Sequence, residues 1–451
     1  SDVVLLQAVG STGGAVTTAV GFSLPTFYFL QPAAFAAWLA QPVLFATSLG
    51  ALVLAAGWWG IAIARQQAPA LLGNESLRFP VSAAIFDTIV SQTRKAAAWL
   101  LACGVGVSSI IGFVRDGFGR IAPLVASSWR LAPGVSFELM PVSWAIGFLA
   151  GFAIVFPLLV GMVSKYVVVW PLNVHGNYLP FSLFAPMKGL DFTFAFCSGI
   201  VLSQTIGSFL SVPMTLVRNA GTYWQRLISM RWQTGSAGGS LYERLCRHEW
   251  LLAGLSCVAV LSYFSFPLIA QVALLGLSYV LTQHLNAFAC RTGLGTYGRY
   301  MTYTMVPIML ISTVSELHIT LLCVFVGVAG SAAVDMLFSY KVAETAGMPT
   351  ARIHRAQLLG LVVTAASMGA LFWLLCSHFT LGVAPLVAHR TQARALLLHS
   401  YHFHWLVLAL GAVYGMVLKR LRINPILAFG GLIMPNHITI GLALGAAVRA
   451  M

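Results

Sequence analysis

The sequence predicts an all-α polytopic membrane protein, with about 12–14 transmembrane helices in two pseudo-repeated halves that contain broken or re-entrant helices. Three observations predict it. Mean hydropathy is +0.87 and only 8% of the 451 residues are charged. Uncharged runs long enough to span a bilayer (~20 residues) recur along the whole chain. Small Gly/Thr-rich stretches and prolines then appear twice in the same order.

The first run extends from Asp2 to Arg65 without a charge. It opens with "QAVGSTGGAVTTAVGFSLP" (7–25), which reads as a break followed by an apolar stretch. Pro80 is expected to open a helix that carries Asp87, since proline favours the first helical position. Further uncharged runs lie at 96–114, 139–164 and 192–217. Residues 218–249 hold Arg218, Arg226, Arg231, Arg244 and Arg247 around "TGSAGGS". Lys and Arg mark cytoplasmic loops, so this basic segment is expected on the cytoplasmic side.

The second half begins with apolar runs near 250–264 and 267–282. The stretch "NAFACRTGLGTYGRYMTYTMVP" (286–307) interrupts them and matches 7–25 in character. "RFPVSAAIFDTIVSQ" (78–92) faces "GMPTARIHRAQLLG" (347–360), and "FPLLVG" (156–161) faces "NPILAFG" (424–430). Uncharged runs at 356–389, 395–418 and 423–448 complete the chain. The expected organisation is a membrane half at 1–217, a linker at 218–249 and a second membrane half at 250–451. The second half has two apolar runs before its Gly/Thr stretch, and the first has only residues 1–6. Two helices are therefore expected to be missing from the N-terminal half.

The net charge of +14 is absorbed by membrane topology and does not point to nucleic acid. Seven cysteines without CxxC or paired spacing give neither a disulfide framework nor a zinc site. There is no Walker motif and no basic signal-peptide start.

The breaks carry the candidate site. Secondary transporters place substrate where helices are interrupted near the midplane, and half-helix ends offer free N–H and C=O groups. Gln7, Ser11 and Thr12 from the first break, with Asn286, Thr292, Tyr297 and Arg299 from the second, are the expected substrate-lining residues. An acid buried in the membrane is a functional suspect. Asp335 ends a run uncharged from Leu317 and is the first choice for proton coupling, followed by Asp87 and then Glu316 beside His318. Glu75, Asp116, Glu243, Glu249 and Glu344 sit among polar or basic neighbours and read as loop residues. Lys341 is six residues from Asp335 and off its helical face, so the two are no local pair. "HSYHFHW" (399–405) reads as an interfacial aromatic belt, because two histidines on one face are a weak metal signal. No metal site is expected.

These landmarks resemble the oligopeptide transporter family, in particular its yellow-stripe-like and bacterial branches. Asn286, Thr292–Leu294 and Tyr297–Arg299 are similar to that branch's "NAYGTGLT…YGK". The segment 334–360 resembles the family's "D…K.G…..PR….Q.IG", with Asp335, Lys341, Gln357 and Gly360 at matching positions. Ser339 stands where the family carries a second aspartate. "LRFPVSAA", with Pro80, is similar to "L.FP.G.A", and Gly293 falls in the TGL motif. The resemblance implies import of small peptides, glutathione or chelated metals, with protons. The expected function is thus a proton-coupled importer of a metal chelate (siderophore- or nicotianamine-like) or a small oligopeptide. A peptide or glutathione symporter without metal is the alternative; a membrane-embedded enzyme or a channel is the alternative of another class. No enzymatic role and no cofactor is expected: a proton gradient drives the cycle and any metal arrives with the substrate. The expected partners are the bilayer, the solute, protons and a second copy, with no nucleic acid. The expected location is a bacterial inner membrane.

Overall fold

The computed structural model describes residues 2–74, 77, 79–91, 95–117, 141–175, 192–193, 196–197, 199–200, 203, 249–293, 295, 297–382, 386, 388, 391–392, 394–395, 405–434 and 436–451. The linker at 218–248, His399, His402 and His404, and the acids Glu75, Glu138, Asp191 and Glu243 lie outside the described residues.

Among the described residues the secondary structure is helical throughout, with no strand. In chain order the helices begin with α1 Asp2–Gly21, α2 Pro25–Leu30, α3 Pro32–Leu39, α4 Pro42–Leu72, α5 Pro80–Ser91 and α6 Lys95–Gly117. Next come α7 Pro141–Ala150, α8 Phe152–Ser164 with a π-helical turn at Lys165–Val169, and α9 Trp170–His175. The second part holds α10 Glu249–Tyr263, α11 Leu268–Thr292, α12 Tyr297–Ile311, α13 Glu316–Thr345 and α14 Thr350–His378. The last are α15 Trp405–Arg420, α16 Pro425–Ile433 and α17 Asn436–Ala450. Prolines open six of them, where the missing N–H costs nothing. Six helical stretches are long and apolar enough to cross a membrane: Asp2–Leu30, Pro42–Leu72, Phe152–Leu172, Leu268–Arg291, Glu316–Thr345 and Thr350–His378. The chain is an all-α polytopic membrane protein.

It packs as two compact units, each drawn from separate parts of the sequence. One comprises Ser1–Ser91 and Val212–Ala395, the other Gln92–Ser211 and Leu396–Met451.

In the first unit α13 is the central helix, and α1, α4, α11 and α12 pack around it. The crossings are close because glycines stand at them. A Cβ on Gly60 of α4 would run into the carbonyl oxygen of Ala329 in α13. On the α1–α14 seam Gly360 admits the backbone of Val9, and a Cβ on Gly13 would stand 3.1 Å from Thr364 Oγ1. Small residues at crossings are how helices associate in lipid, where no hydrophobic drive brings them together.

This corrects one expectation. The Gly/Thr stretch at 7–14 is not a break: α1 is continuous from Asp2 to Gly21, and the chain turns only at residues 22–24. Gly13 is there for close approach to a neighbouring helix, not to interrupt its own. The second stretch does break. Helix α11 ends in Gly293, left-handed at φ 74°, and α12 starts at Tyr297.

In the second unit, helices are paired by reciprocal glycines. A Cβ on Gly161 of α8 would meet the Ala428 carbonyl, and one on Gly431 of α16 the Leu158 carbonyl. Helices α7 and α17 repeat the arrangement with Gly147 against Leu442 and Gly445 against Trp144. Val169, Phe192, Phe196, Cys197, Ile200, Val407 and Leu432 form its largest core cluster.

Candidate functional site

Helix α13 carries no charge from Ile319 to Val334, and every position from Ile319 to Tyr340 is buried except one, Asp335, which is part-exposed. Its carboxylate collects three donors on a single oxygen. Ser11 and Thr12 of α1 donate to Oδ2 at 3.1 Å each, and Gln357 of α14 donates from Nε2 at 2.8 Å. The Gln357 amide also donates to Ser339 at 2.9 Å. No described residue bonds Oδ1. A carboxylate accepting several hydrogen bonds is the expected answer to an acid inside a membrane, where every polar group needs a partner.

The placement follows from the local sequence. Ser11 and Thr12 are adjacent on α1, and Thr12 also lies 2.9 Å from the Ala8 carbonyl one turn back. Gln357 and Gly360 stand three residues apart on α14, so one turn carries both the donor and the gap that lets α1 approach. Tyr297, the first residue of α12, packs beside Gly330 and lies within electrostatic range of Asp335.

The structure therefore joins four residues singled out in the sequence, Ser11, Thr12, Asp335 and Gln357, with Tyr297 close by. Gln7 lies one turn before Ser11, and its buried Oε1 has no partner. Asn286 is fully buried in α11; its amide donates to Gln67 Oε1 at 2.7 Å, while its own Oδ1 is unpaired. The side chains of Thr292 and Arg299 lie outside the described residues. Two other acids do not join. Asp87 is exposed on α5. Glu316 sits at the first position of α13, behind a capping box of Ser315 and His318.

Pro80, Gly293 and Lys341 form a second constellation. Pro80 opens α5, and its Cγ would lie 2.9 Å from a Cβ at Gly293. Gly293 is thus required both by its positive φ and by this contact. Phe79, at φ 43°, donates its N–H to the Cys290 carbonyl at 3.0 Å and lies 5.6 Å beneath Lys341 Nζ. Lys341 pairs with Glu344 at 2.9 Å and not with Asp335.

The sequence reading missed a third cluster. Glu249 is no loop residue: it opens α10, is 6% exposed, and gathers partners from two other helices. Arg65 Nη1 is 2.7 Å from its Oε2, while Trp58 Nε1 at 3.1 Å and His354 Nε2 at 3.2 Å reach Oε1. A signal for it was present, because Arg65 is the lone charge of a 31-residue membrane helix and needed a counter-ion. Among the described residues no group of three or more His, Cys, Asp or Glu could hold a metal ion.

No protein-family model matches the chain, and no curated protein matches it.

Proposed function

We propose that the chain is a secondary active, proton-coupled importer of a metal chelate, siderophore- or nicotianamine-like, or of a small oligopeptide. One observation carries the reading. The single part-exposed point of α13 between Ile319 and Tyr340 is a carboxylate with three donors on Oδ2 and no described partner on Oδ1. A proton arriving at Oδ1 would neutralise the acid without displacing any of those donors. Hydrogen bonds to an ionised acceptor are roughly twice as strong as neutral ones. Protonation therefore loosens the grip of α13 on α1 and α14 together, which is what coupling a proton to a conformational change needs.

The unpaired oxygens of Gln7 and Asn286, with Tyr297, supply the candidate substrate groups in this reading. A chelated metal brings its own ligands, so no protein His/Cys cluster is called for. Catalysis has no role, and the resemblance of Asn286, Tyr297–Arg299 and 334–360 to oligopeptide transporters gives the substrate class. The host membrane in this reading is a bacterial inner membrane, with 218–249 on the cytoplasmic face.

The test is uptake by proteoliposomes under an imposed proton gradient. Labelled metal–nicotianamine and labelled tetrapeptide are offered in parallel, with and without an uncoupler. Uncoupler-sensitive accumulation of one of them supports the reading and selects the substrate class. Uptake that ignores the gradient, or no uptake of either solute, overturns it.

A further inference from the structure

We propose that Glu249 and His354 form a second proton-carrying site, placed between the membrane surface and Asp335 and joined to it through α14. The inference rests on the transporter reading only for its purpose; the site itself is independent of it.

The geometry comes first. Glu249 and His354 are both buried, at 6% and 3% exposure, and meet at 3.2 Å. The His354 ring uses Nε2 on the carboxylate, and its other nitrogen, Nδ1, is buried with no partner. Arg65 on the opposite oxygen already balances the Glu249 charge. The cluster is neutral with a neutral imidazole and carries one positive charge with an imidazolium. It can therefore hold a proton on the ring or pass it to the carboxylate while Arg65 stays in place.

Position is the second argument. His354 and Gln357 lie three residues apart on the buried side of α14. One is bound to Glu249, the other to Asp335. At 1.5 Å per residue, His354 stands ~6 Å from the start of α14, whereas Asp335 stands ~15 Å from the end of α13, which leads into it. The Glu249 cluster is thus the shallower of the two, and α14 is gripped by both acids within one turn.

The charged and titratable surroundings can be named helix by helix. The only such group in α4 is Arg65, and α10 contributes Glu249 together with Cys257 and Tyr263. Helix α13 brings Asp335 and the Lys341–Glu344 pair, besides Glu316, His318, Cys323 and Tyr340 along its length. On α14 itself Arg352 and Arg355 point to the exposed side. Helix α1 offers only Asp2, and α3 carries none. Among the described residues Glu249 is the one acid in contact with the ring.

The experiment uses the full chain in lipid nanodiscs with histidine-selective 15N labelling. The His354 ring signal is identified by its loss in H354Q. The signal is followed as the pH is lowered, and the ring is expected to take up a proton while it stays bound to Glu249. E249Q removes that change, and D335N alters it, because both carboxylates act on α14 across a poorly screened interior. A wild-type signal that keeps its neutral-ring position throughout overturns the proposal. So does a change that E249Q and D335N both leave as it was. Should H354Q fail to fold, the signal that E249Q perturbs gives the assignment. Loss of gradient-driven uptake with a normal His354 response would sink the transporter reading and leave this site standing.

Discussion

Exchanging Gly60 for alanine tests how tightly the first unit is closed. The added methyl meets the Ala329 carbonyl oxygen well inside the 3.0 Å that real Cβ contacts essentially never breach. The obstacle is backbone in the middle of α13, so it cannot rotate aside, and α4 and α13 must separate by about 1 Å. Overpacking of this kind costs about 1–3 kcal/mol, and a backbone obstacle puts it near the upper end. Alanine returns about 1 kcal/mol of helix propensity. The net loss is about 2 kcal/mol. Gly57, one turn earlier in α4, is the control. Its new methyl meets the Leu361 side chain, which can change rotamer for about 1 kcal/mol, so G57A should come out near neutral. Unfolding of the purified chain by SDS in mixed micelles, followed by tryptophan fluorescence, measures both. Double variants sharpen the comparison. L361A should cost less in the G57A background, because the methyl fills part of the void. A329G should give G60A no relief, since the clash is with main chain. A G60A protein within about 0.5 kcal/mol of wild type, or rescue by A329G, would refute the reasoning.

Three further outcomes are expected. E249A removes the counter-ion of Arg65 and the partner of His354 and Trp58, and should cost about 3 kcal/mol in the same SDS assay; a loss under 1 kcal/mol would mean that water already solvates the cluster. S315A deletes the cap of α13, whose hydroxyl takes the His318 N–H at 3.4 Å, and should cost about 1 kcal/mol, with glycine at that position milder. D335N should abolish the gradient dependence of uptake while the protein remains folded, and S11A, which removes one of three donors, should only weaken it; an unchanged uncoupler response in D335N would remove that acid from the coupling step.

Much of the fold was legible because burial in lipid writes itself into composition. Long uncharged runs mark the spans, and Pro80 and Gly293 mark a helix start and a helix end by backbone chemistry that acts locally. Asp335 could be read because one acid at the end of an apolar run needs a reason to be there. Ser11, Thr12 and Gln357 were also picked out, the first two for a helix break that α1 does not contain and Gln357 through the family motif. The glycines beside them serve a neighbouring helix, and a sequence does not say whether a glycine bends its own chain or admits another. Glu249 was lost for the opposite reason. Arg247 and His248 beside it look like a loop, while the residues that bury it are far off, Arg65 standing 184 positions away.

The paired glycines of the second unit have a mechanical consequence. Each crossing consists of two backbone contacts related by a local twofold, Gly161 on Ala428 and Gly431 on Leu158, and again Gly147 on Leu442 and Gly445 on Trp144. Two points of support on one crossing make a rivet rather than a sliding surface. Neither helix can shift lengthwise without losing both contacts at once, yet the pair can open like scissors about the rivet while its centre stays shut. A bulky residue at one glycine of such a crossing should therefore tilt the pair about the other instead of parting it.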